Sequence, residues 1–205
     1  MTSAVVITGT DTGIGKTVFS AGLTLALQGT YWKPVQAGLE EETDRETVAR
    51  LTGCPTLPEA YRLRSPASPH LAAALDGVEI GPLPLPDLPG PLVIEGAGGA
   101  LVPLAGRRLY ADQMADWQAP VIVVARTGLG TINHSLLTIE ALRARRVPVL
   151  GVAFVGAEVR DSQDTICRLA DLPALGRLSH LPDLSRATLA TAFRGIDLTM
   201  IRGAL

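Results

Sequence analysis

Cysteine is almost missing: Cys54 and Cys167 are the only two in 205 residues, far apart and with no Cys or His beside either at metal-ligand spacing. A zinc finger and a disulfide framework are therefore excluded, and both thiols read as reduced, buried small hydrophobes. Charge of one sign is missing as well. Eighteen Lys and Arg stand against 20 Asp and Glu, a net charge of −2, so no general affinity for nucleic acid or an anionic membrane is expected. The longest apolar run, Val147 to Ala157, falls well short of the roughly 18 residues that span a bilayer. The N-terminus lacks a basic segment, apolar segment and cleavage site in order. The expectation is a cytoplasmic protein with neither a nucleic-acid nor a membrane partner.

What is present is apolar: 47% of the residues are AVILMFWYC and 19% are charged, which excludes a disordered tail or a charged linker. A chain of this length buries about 70% of its unfolded surface without a staple. Short β-branched runs recur every few dozen residues: Ala4–Thr8, Tyr31–Val35, Leu92–Glu95, Val121–Ala125, Val149–Phe154 and Ala174–Leu178. Between several of them lie helical patterns, Thr17–Gln28, Thr43–Leu51, Ala111–Gln118, Ile132–Arg145 and Asp161–Ala170, the last opening on Asp161 as N-cap. Near-continuous apolar strands separated by amphipathic helices require a mostly parallel sheet covered on both faces. The fold class is thus α/β, doubly wound, with residues 1–205 read as one domain. One crossover is unusual, because Gly81 to Pro91 holds five prolines and has room for at most a turn or two of helix.

The first strand runs into Gly9-Thr10-Asp11-Thr12-Gly13-Ile14-Gly15-Lys16-Thr17 and then into an amphipathic helix. That is the context of a phosphate-binding loop of the P-loop NTPase type. Backbone N–H groups from Gly13 to Val18 wrap the phosphates of a nucleotide, Lys16 reaches the β and γ oxygens, and the Thr17 hydroxyl holds Mg²⁺. The strict spacing asks for glycine where Thr10 stands, with Gly9 one place earlier, so the loop is a variant.

An acid at the end of a neighbouring strand completes such a site, and Leu92-Val93-Ile94-Glu95 supplies it. The glycines that follow, Gly98 among them, let a ligand approach the backbone. Taken alone, Glu95 also reads as a solvated strand end, and Lys33, after the second strand, as a solvated charge. A nucleotide at this sheet edge favours the functional reading of both. Asp44 is equally a candidate N-cap and a candidate metal ligand. The loop before Thr131, Ile132 and Asn133 is glycine-rich, and its free N–H groups suit a carboxylate or phosphate as well as an ordinary helix start. His70, His134 and His180 have no acid or serine at catalytic spacing and read as structural or solvent-exposed.

Taken in order, the phosphate loop, Lys33-Pro34-Val35, Ser68-Pro69-His70, Glu95-Gly96-Ala97-Gly98-Gly99 and Gly130-Thr131-Ile132-Asn133-His134 resemble the dethiobiotin synthetases, from residue 4 to about residue 155. The resemblance implies an ATP-dependent ligase that closes a ureido ring on 7,8-diaminononanoate with CO2, through a substrate carbamate and a carbamic-phosphoric anhydride. It implies that Lys16 and Lys33 neutralise the carbamate and the transferring phosphoryl group, and that Thr12 contacts the diamine. Thr17, Asp44 and Glu95 would surround Mg²⁺. The backbone of Thr131, Ile132 and Asn133 would take the substrate's tail carboxylate from across a homodimer interface.

Three departures from the family pattern stand out. Ala37 occupies a substrate-side position where members often carry a hydroxyl. Gly13 stands where many carry an acid. The asparagine that selects adenine in some relatives is replaced near Val155 and Gly156, which leaves base choice open to triphosphates other than ATP. Two rivals share this kind of loop. A cobyrinate-type amidating synthetase needs a glutamine-hydrolysing domain for which the chain has no room. A partitioning-type ATPase usually carries a second lysine early in the loop, where Thr10, Asp11 and Thr12 stand, and often a basic amphipathic C-terminus, which Ser185 to Leu205 is not.

Overall fold

A computed structural model describes residues 3–205. In chain order its elements are β1 (Ser3–Gly9), α1 (Lys16–Leu27), β2 (Thr30–Trp32), β3 (Val35–Ala37), α2 (Asp44–Thr52), β4 (Tyr61–Leu63), α3 (Pro69–Asp76), β5 (Pro91–Gly99), β6 (Pro103–Ala105), β7 (Arg108–Leu109), α4 (Tyr110–Trp117), β8 (Val121–Arg126), α5 (Thr131–Arg143), β9 (Val149–Val155), α6 (Arg160–Ala170), β10 (Ala174–Leu178), α7 (Arg186–Ala192), a 3-10 turn (Phe193–Gly195) and α8 (Leu198–Gly203). Six strands form a parallel sheet in the order β10-β9-β8-β1-β5-β2. Helices cover both faces, as the pattern of apolar strands requires. Among the described residues no helix is long and apolar enough to cross a membrane.

The alternation of side chains along each strand divides the core in two. Val6, Leu92, Ile94, Val121 and Val123 pack with α3 to α6 on one face, whereas Val5, Ile7, Val93, Ile122 and Val124 pack with α1, α2, α7 and α8 on the other. From β1 the chain goes to the edge strand β2, returns through β5, and then crosses β1 to wind outward through β8, β9 and β10. The crevice that opens at the carboxyl ends of such strands is where a ligand binds in doubly wound sheets, and the phosphate loop leaves β1 there.

The expected second strand, Tyr31–Val35, is interrupted. β2 ends at Trp32, and β3 pairs instead with β4 outside the main sheet. Pro34 cannot donate to a ladder, so the chain leaves the sheet at Lys33 and turns its side chain to the crevice. The proline-rich crossover forms no helix. It is held by side chains that use its carbonyls: Trp117 Nε1 and Gln113 Nε2 both donate to the Leu83 carbonyl, at 2.6 and 3.2 Å, and Ile80 and Leu83 are buried. Two smaller expectations are corrected. Cys54 and Cys167 are free but half-buried, not fully buried, and Asp161 sits in the first turn of α6, with Val159 at the cap position.

Helices α7 and α8 bury Leu189 and Ile201, and Phe193 between them packs on Phe19 of α1 with ring centroids 5.2 Å apart. That ring lies so close to α1 that a Cβ at Gly22 would come within 2.0 Å of it. Alanine in a helix interior gains about 1 kcal/mol over glycine, whereas overpacking a filled core costs about 1–3 kcal/mol. Gly22→Ala is therefore expected to lower stability by about 1–2 kcal/mol, read as a lower denaturant midpoint at unchanged slope; a raised midpoint would show that the C-terminal segment yields.

Candidate functional site

The phosphate loop owes its shape to close approaches. A Cβ at Gly9 would lie 2.8 Å from Ile14 Cδ1 and 2.9 Å from Lys16 Cδ, so glycine at this earlier place lets the Lys16 stem fold across the loop, and Thr10 is tolerated. Gly15 caps α1 in the left-handed region, with φ 95°, where other residues are strained. Gly13 is left-handed as well, with φ 69° and open space where its side chain would be. The backbone conformation thus favours glycine over the acid that many relatives carry.

Lys16 is buried and donates to the Asp11 carbonyl at 2.8 Å. Desolvation lowers its pKa, with help from the charge of Lys33; Glu95 and Asp44 oppose the shift. Thr17 Oγ1 lies 2.5 Å from Asp44 Oδ1 and 2.9 Å from Glu95 Oε1. Lys33 Nζ is hydrogen-bonded to Asp44 Oδ2 and stands 3.4 Å from Glu95 Oε1. Burial alone would depress the Lys33 pKa, but the two carboxylates outweigh it and hold the ammonium above its ordinary value. Asp44 is the mirror case: burial opposes its charge, and Lys33 together with Thr17 and Lys16 keeps its pKa below the usual range.

The ambiguity of Asp44 is resolved by its neighbour. Thr43 is the N-cap of α2, in a capping box with Glu46: Glu46 N donates to Thr43 Oγ1, and Thr43 N to Glu46 Oε2. Asp44 is left as the first helical residue, with its carboxylate free to face the crevice. Sequence reasoning also missed Tyr31, whose hydroxyl donates to Glu95 Oε2 at 2.9 Å. Burial, and then the charges of Glu95 and Asp44, raise its pKa well above the phenol range, so it remains a donor. The signal available in the sequence was its position two residues before Lys33, on the strand beside β5.

Other expected residues lie at the edges of this cluster. Val18, Gly13, Ile14 and Gly15 line a cavity of about 570 Å³ together with Val155 and Gly156. The position that selects a base in some relatives therefore does face a pocket next to the phosphate loop, and none of its lining residues is Asn or Gln. Thr12 is exposed, lies against Gly98, and lines a second cavity of about 440 Å³ with Gly99, Leu101, His134 and Leu137. His134, read as structural or solvent-exposed, is thus at a cavity wall.

Ala37 is half-buried at the end of β3 and packs against the core, lining neither cavity. Thr131 gives its N–H to the Gly128 carbonyl and its hydroxyl to the Arg126 carbonyl. Of the three residues expected to take a carboxylate, Ile132 and Asn133 lie in the first turn of α5, where N–H groups have no partner within the helix. All three lie away from the Lys33 cluster within this chain, at the start of α5, whose N-cap Gly130 is left-handed.

A family model described as an AAA domain matches residues 3–188. Curated proteins similar to this chain include ATP-dependent dethiobiotin synthetases from Novosphingobium aromaticivorans, 62% identical over 93% of this chain and 95% of the relative, from Rhodopseudomonas palustris, 60% identical over 94% and 93%, and from Sphingopyxis alaskensis, 61% identical over 92% and 93%. Similar solved structures include a ParA family ATPase from Chlorobium tepidum, with TM-score 0.53, 9% identity and coverage of 99% and 97% of the two chains. The cell division ATPase MinD of Pyrococcus furiosus gives TM-score 0.54, 13% identity and coverage of 100% and 97%. At those identities they are alike in fold alone.

Removing the shared cation is expected to be costly. Lys33→Met leaves two adjacent carboxylates, one of them buried, without the ammonium hydrogen-bonded between them, a loss of about 2–4 kcal/mol. Asp44, with its pKa depressed in the folded protein, stabilises above the ordinary Asp range and ceases to do so as pH falls through its folded value; Lys33, with its pKa raised, stabilises below the ordinary Lys range. The deficit of Lys33→Met should thus be largest near neutral pH and shrink only where acid protonates Asp44, below the ordinary Asp range of about 4, as urea titrations at pH 7 and at about pH 2 would show. A deficit that is equal at both pH values would refute the pairing.

Proposed function

The chain belongs to the ATP-dependent dethiobiotin synthetases, and on that premise we propose that it closes the ureido ring of dethiobiotin on 7,8-diaminononanoate, consuming CO2 and ATP and releasing ADP and phosphate. The observation that carries this reading is the meeting of Lys16, Lys33, Thr17, Asp44 and Glu95 at the phosphate loop. Such a site binds anions and neutralises charge. The substrate itself supplies both nucleophilic amines, so the protein contributes position and electrostatics.

One substrate amine adds to CO2 and loses a proton, giving a carbamate. A carbamate oxygen then takes the γ-phosphoryl group of ATP, and ADP leaves. The second amine attacks the carbamoyl carbon of this mixed anhydride, the ring closes, and phosphate departs with the electron pair of the broken C–O bond. Lys16, released from the Asp11 carbonyl, follows the transferring phosphoryl group, and Lys33 neutralises the carbamate. Thr12 contacts the diamine, and the nucleotide lies along Gly13 to Val18 with its base in the larger cavity. Gly98 lets the substrate approach the end of β5.

The donor set fits Mg²⁺. One hydroxyl proton faces two carboxylate oxygens at 2.5 and 2.9 Å and serves only one of them at a time, so Thr17 and the carboxylates offer hard oxygen donors to a cation. Among the described residues there is no group of three or more His, Cys, Asp or Glu that suits a metal; an ion here would be held by one or two carboxylates and completed by nucleotide phosphates. Thr17, Asp44 and Glu95 would hold it, directly or through water, and it would neutralise charge on the β and γ oxygens.

The second cavity supports a homodimer. Leu101 and Leu137 are half exposed at its rim and Leu129 is fully exposed at the start of α5, an apolar surface that a second copy of this chain would cover. That arrangement brings the N–H groups of Ile132 and Asn133 to the partner's site for the tail carboxylate.

A partner-regulated ATPase is the rival from another class; the solved structures of like fold carry no argument for it at 9–13% identity, and relatives near 60% identity favour the synthetase. Mass spectrometry of protein with 7,8-diaminononanoate, bicarbonate, Mg²⁺ and ATP should show a product at the dethiobiotin mass that requires every component. Lys16→Ala should reduce its rate by about 10²–10³-fold or more. CTP in place of ATP should also yield product, since no amide side chain lines the base cavity. Folded protein that binds triphosphate and forms no product with either nucleotide would overturn the assignment.

A further inference from the structure

Glu95 presents its two oxygens to different partners. Tyr31 pairs with Val93 across the β2–β5 ladder, and Glu95 lies two residues further on, so the side chains of Tyr31 and Glu95 leave the same face of the sheet. The Tyr31 hydroxyl donates to Oε2 at 2.9 Å, while Oε1 faces Thr17 Oγ1 at 2.9 Å and Lys33 Nζ at 3.4 Å. Tyr31 is 0% exposed and Glu95 1%. Solvent does not compete for Oε2. The terminal torsion of a glutamate is soft, and without a fixed partner its carboxylate plane turns readily.

We propose that Tyr31 is a positioning residue for the metal site: by holding Oε2 it sets the plane of the Glu95 carboxylate and directs Oε1 at the place beside the Thr17 hydroxyl where Mg²⁺ binds. The inference rests on the assignment of Glu95 as a metal acid made above. A phenylalanine would fill the same core volume, so packing alone gives no reason for the hydroxyl. A partner that orients a metal-binding side chain is typically worth 10–100-fold in metal affinity.

The test is electron paramagnetic resonance of Mn²⁺ titrated into the full chain saturated with ADP, without other substrates. Tyr31→Phe should weaken Mn²⁺ binding by about 10-fold or more, while ADP affinity measured in EDTA stays at the wild-type value. Trp32→Phe is the control for a purely structural effect. It removes the bond from Trp32 Nε1 to the Pro58 carbonyl, 3.2 Å, on the opposite face of the same strand, and should lower stability with Mn²⁺ affinity intact. Unchanged Mn²⁺ affinity in Tyr31→Phe, or an equal loss in Trp32→Phe, would overturn the positioning role. Glu95→Gln separates the two levels: if it weakens Mn²⁺ and Tyr31→Phe does not, the role of Tyr31 alone fails; if it too leaves Mn²⁺ binding intact, the metal assignment fails and takes the inference with it.

Discussion

A buried ammonium between two carboxylates organises this molecule. Lys33 comes from the break between β2 and β3, Asp44 from the first turn of α2, Glu95 from β5 and Thr17 from the start of α1. Four elements distant in sequence meet at one point. Taking such charges from water is expensive, and only close geometry offsets the cost. A small shift in any of the four elements would leave a charge unpaired, so the crevice is held in register by electrostatics that hydrophobic packing, being non-directional, does not supply.

The framework around this point uses local devices to spare it. Thr43 and Glu46 satisfy the start of α2, so Asp44 has no capping duty. Pro34 ends a ladder at the place where Lys33 is needed. The proline-rich crossover, unable to make a helix, hands its Leu83 carbonyl to Trp117 and Gln113 of α4 and buries its leucine. At α2 and at the crossover a backbone group that regular structure would satisfy finds a side chain instead.

The fold does not settle the chemistry. ParA and MinD proteins wind the same sheet around the same kind of loop at 9–13% identity, and fold likeness carries no activity with it. The features of this chain that bear on chemistry lie at the rims of the crevice: a cavity beside the phosphate loop without an amide side chain, a second cavity rimmed by exposed leucines, and a phenol behind one carboxylate. These features bear on the base choice, the dimer and the metal site proposed above.

Much was legible in the sequence because its causes are local. Short, near-continuous apolar runs rich in β-branched residues disclosed the six sheet strands, helical spacing placed five helices to within about two residues, and the glycine-lysine-threonine ending marked the phosphate loop. Lys16, Thr17, Lys33, Asp44 and Glu95 were all candidates, and the structure brings them together, whereas residue type alone left Lys33 open as a solvated charge and Asp44 as an N-cap. The short elements β3, β4, β6, β7, α3, α7 and α8 were not, because their few residues carry too little periodicity and they form only where a neighbour packs on them. The division of labour between Thr43 and Asp44, the turning of Ala37 toward the core and the reach of Tyr31 to Glu95 are matters of direction in space. Residue type and spacing state which groups a chain carries; which oxygen faces which donor follows from the packing of strands and helices that lie dozens of residues apart.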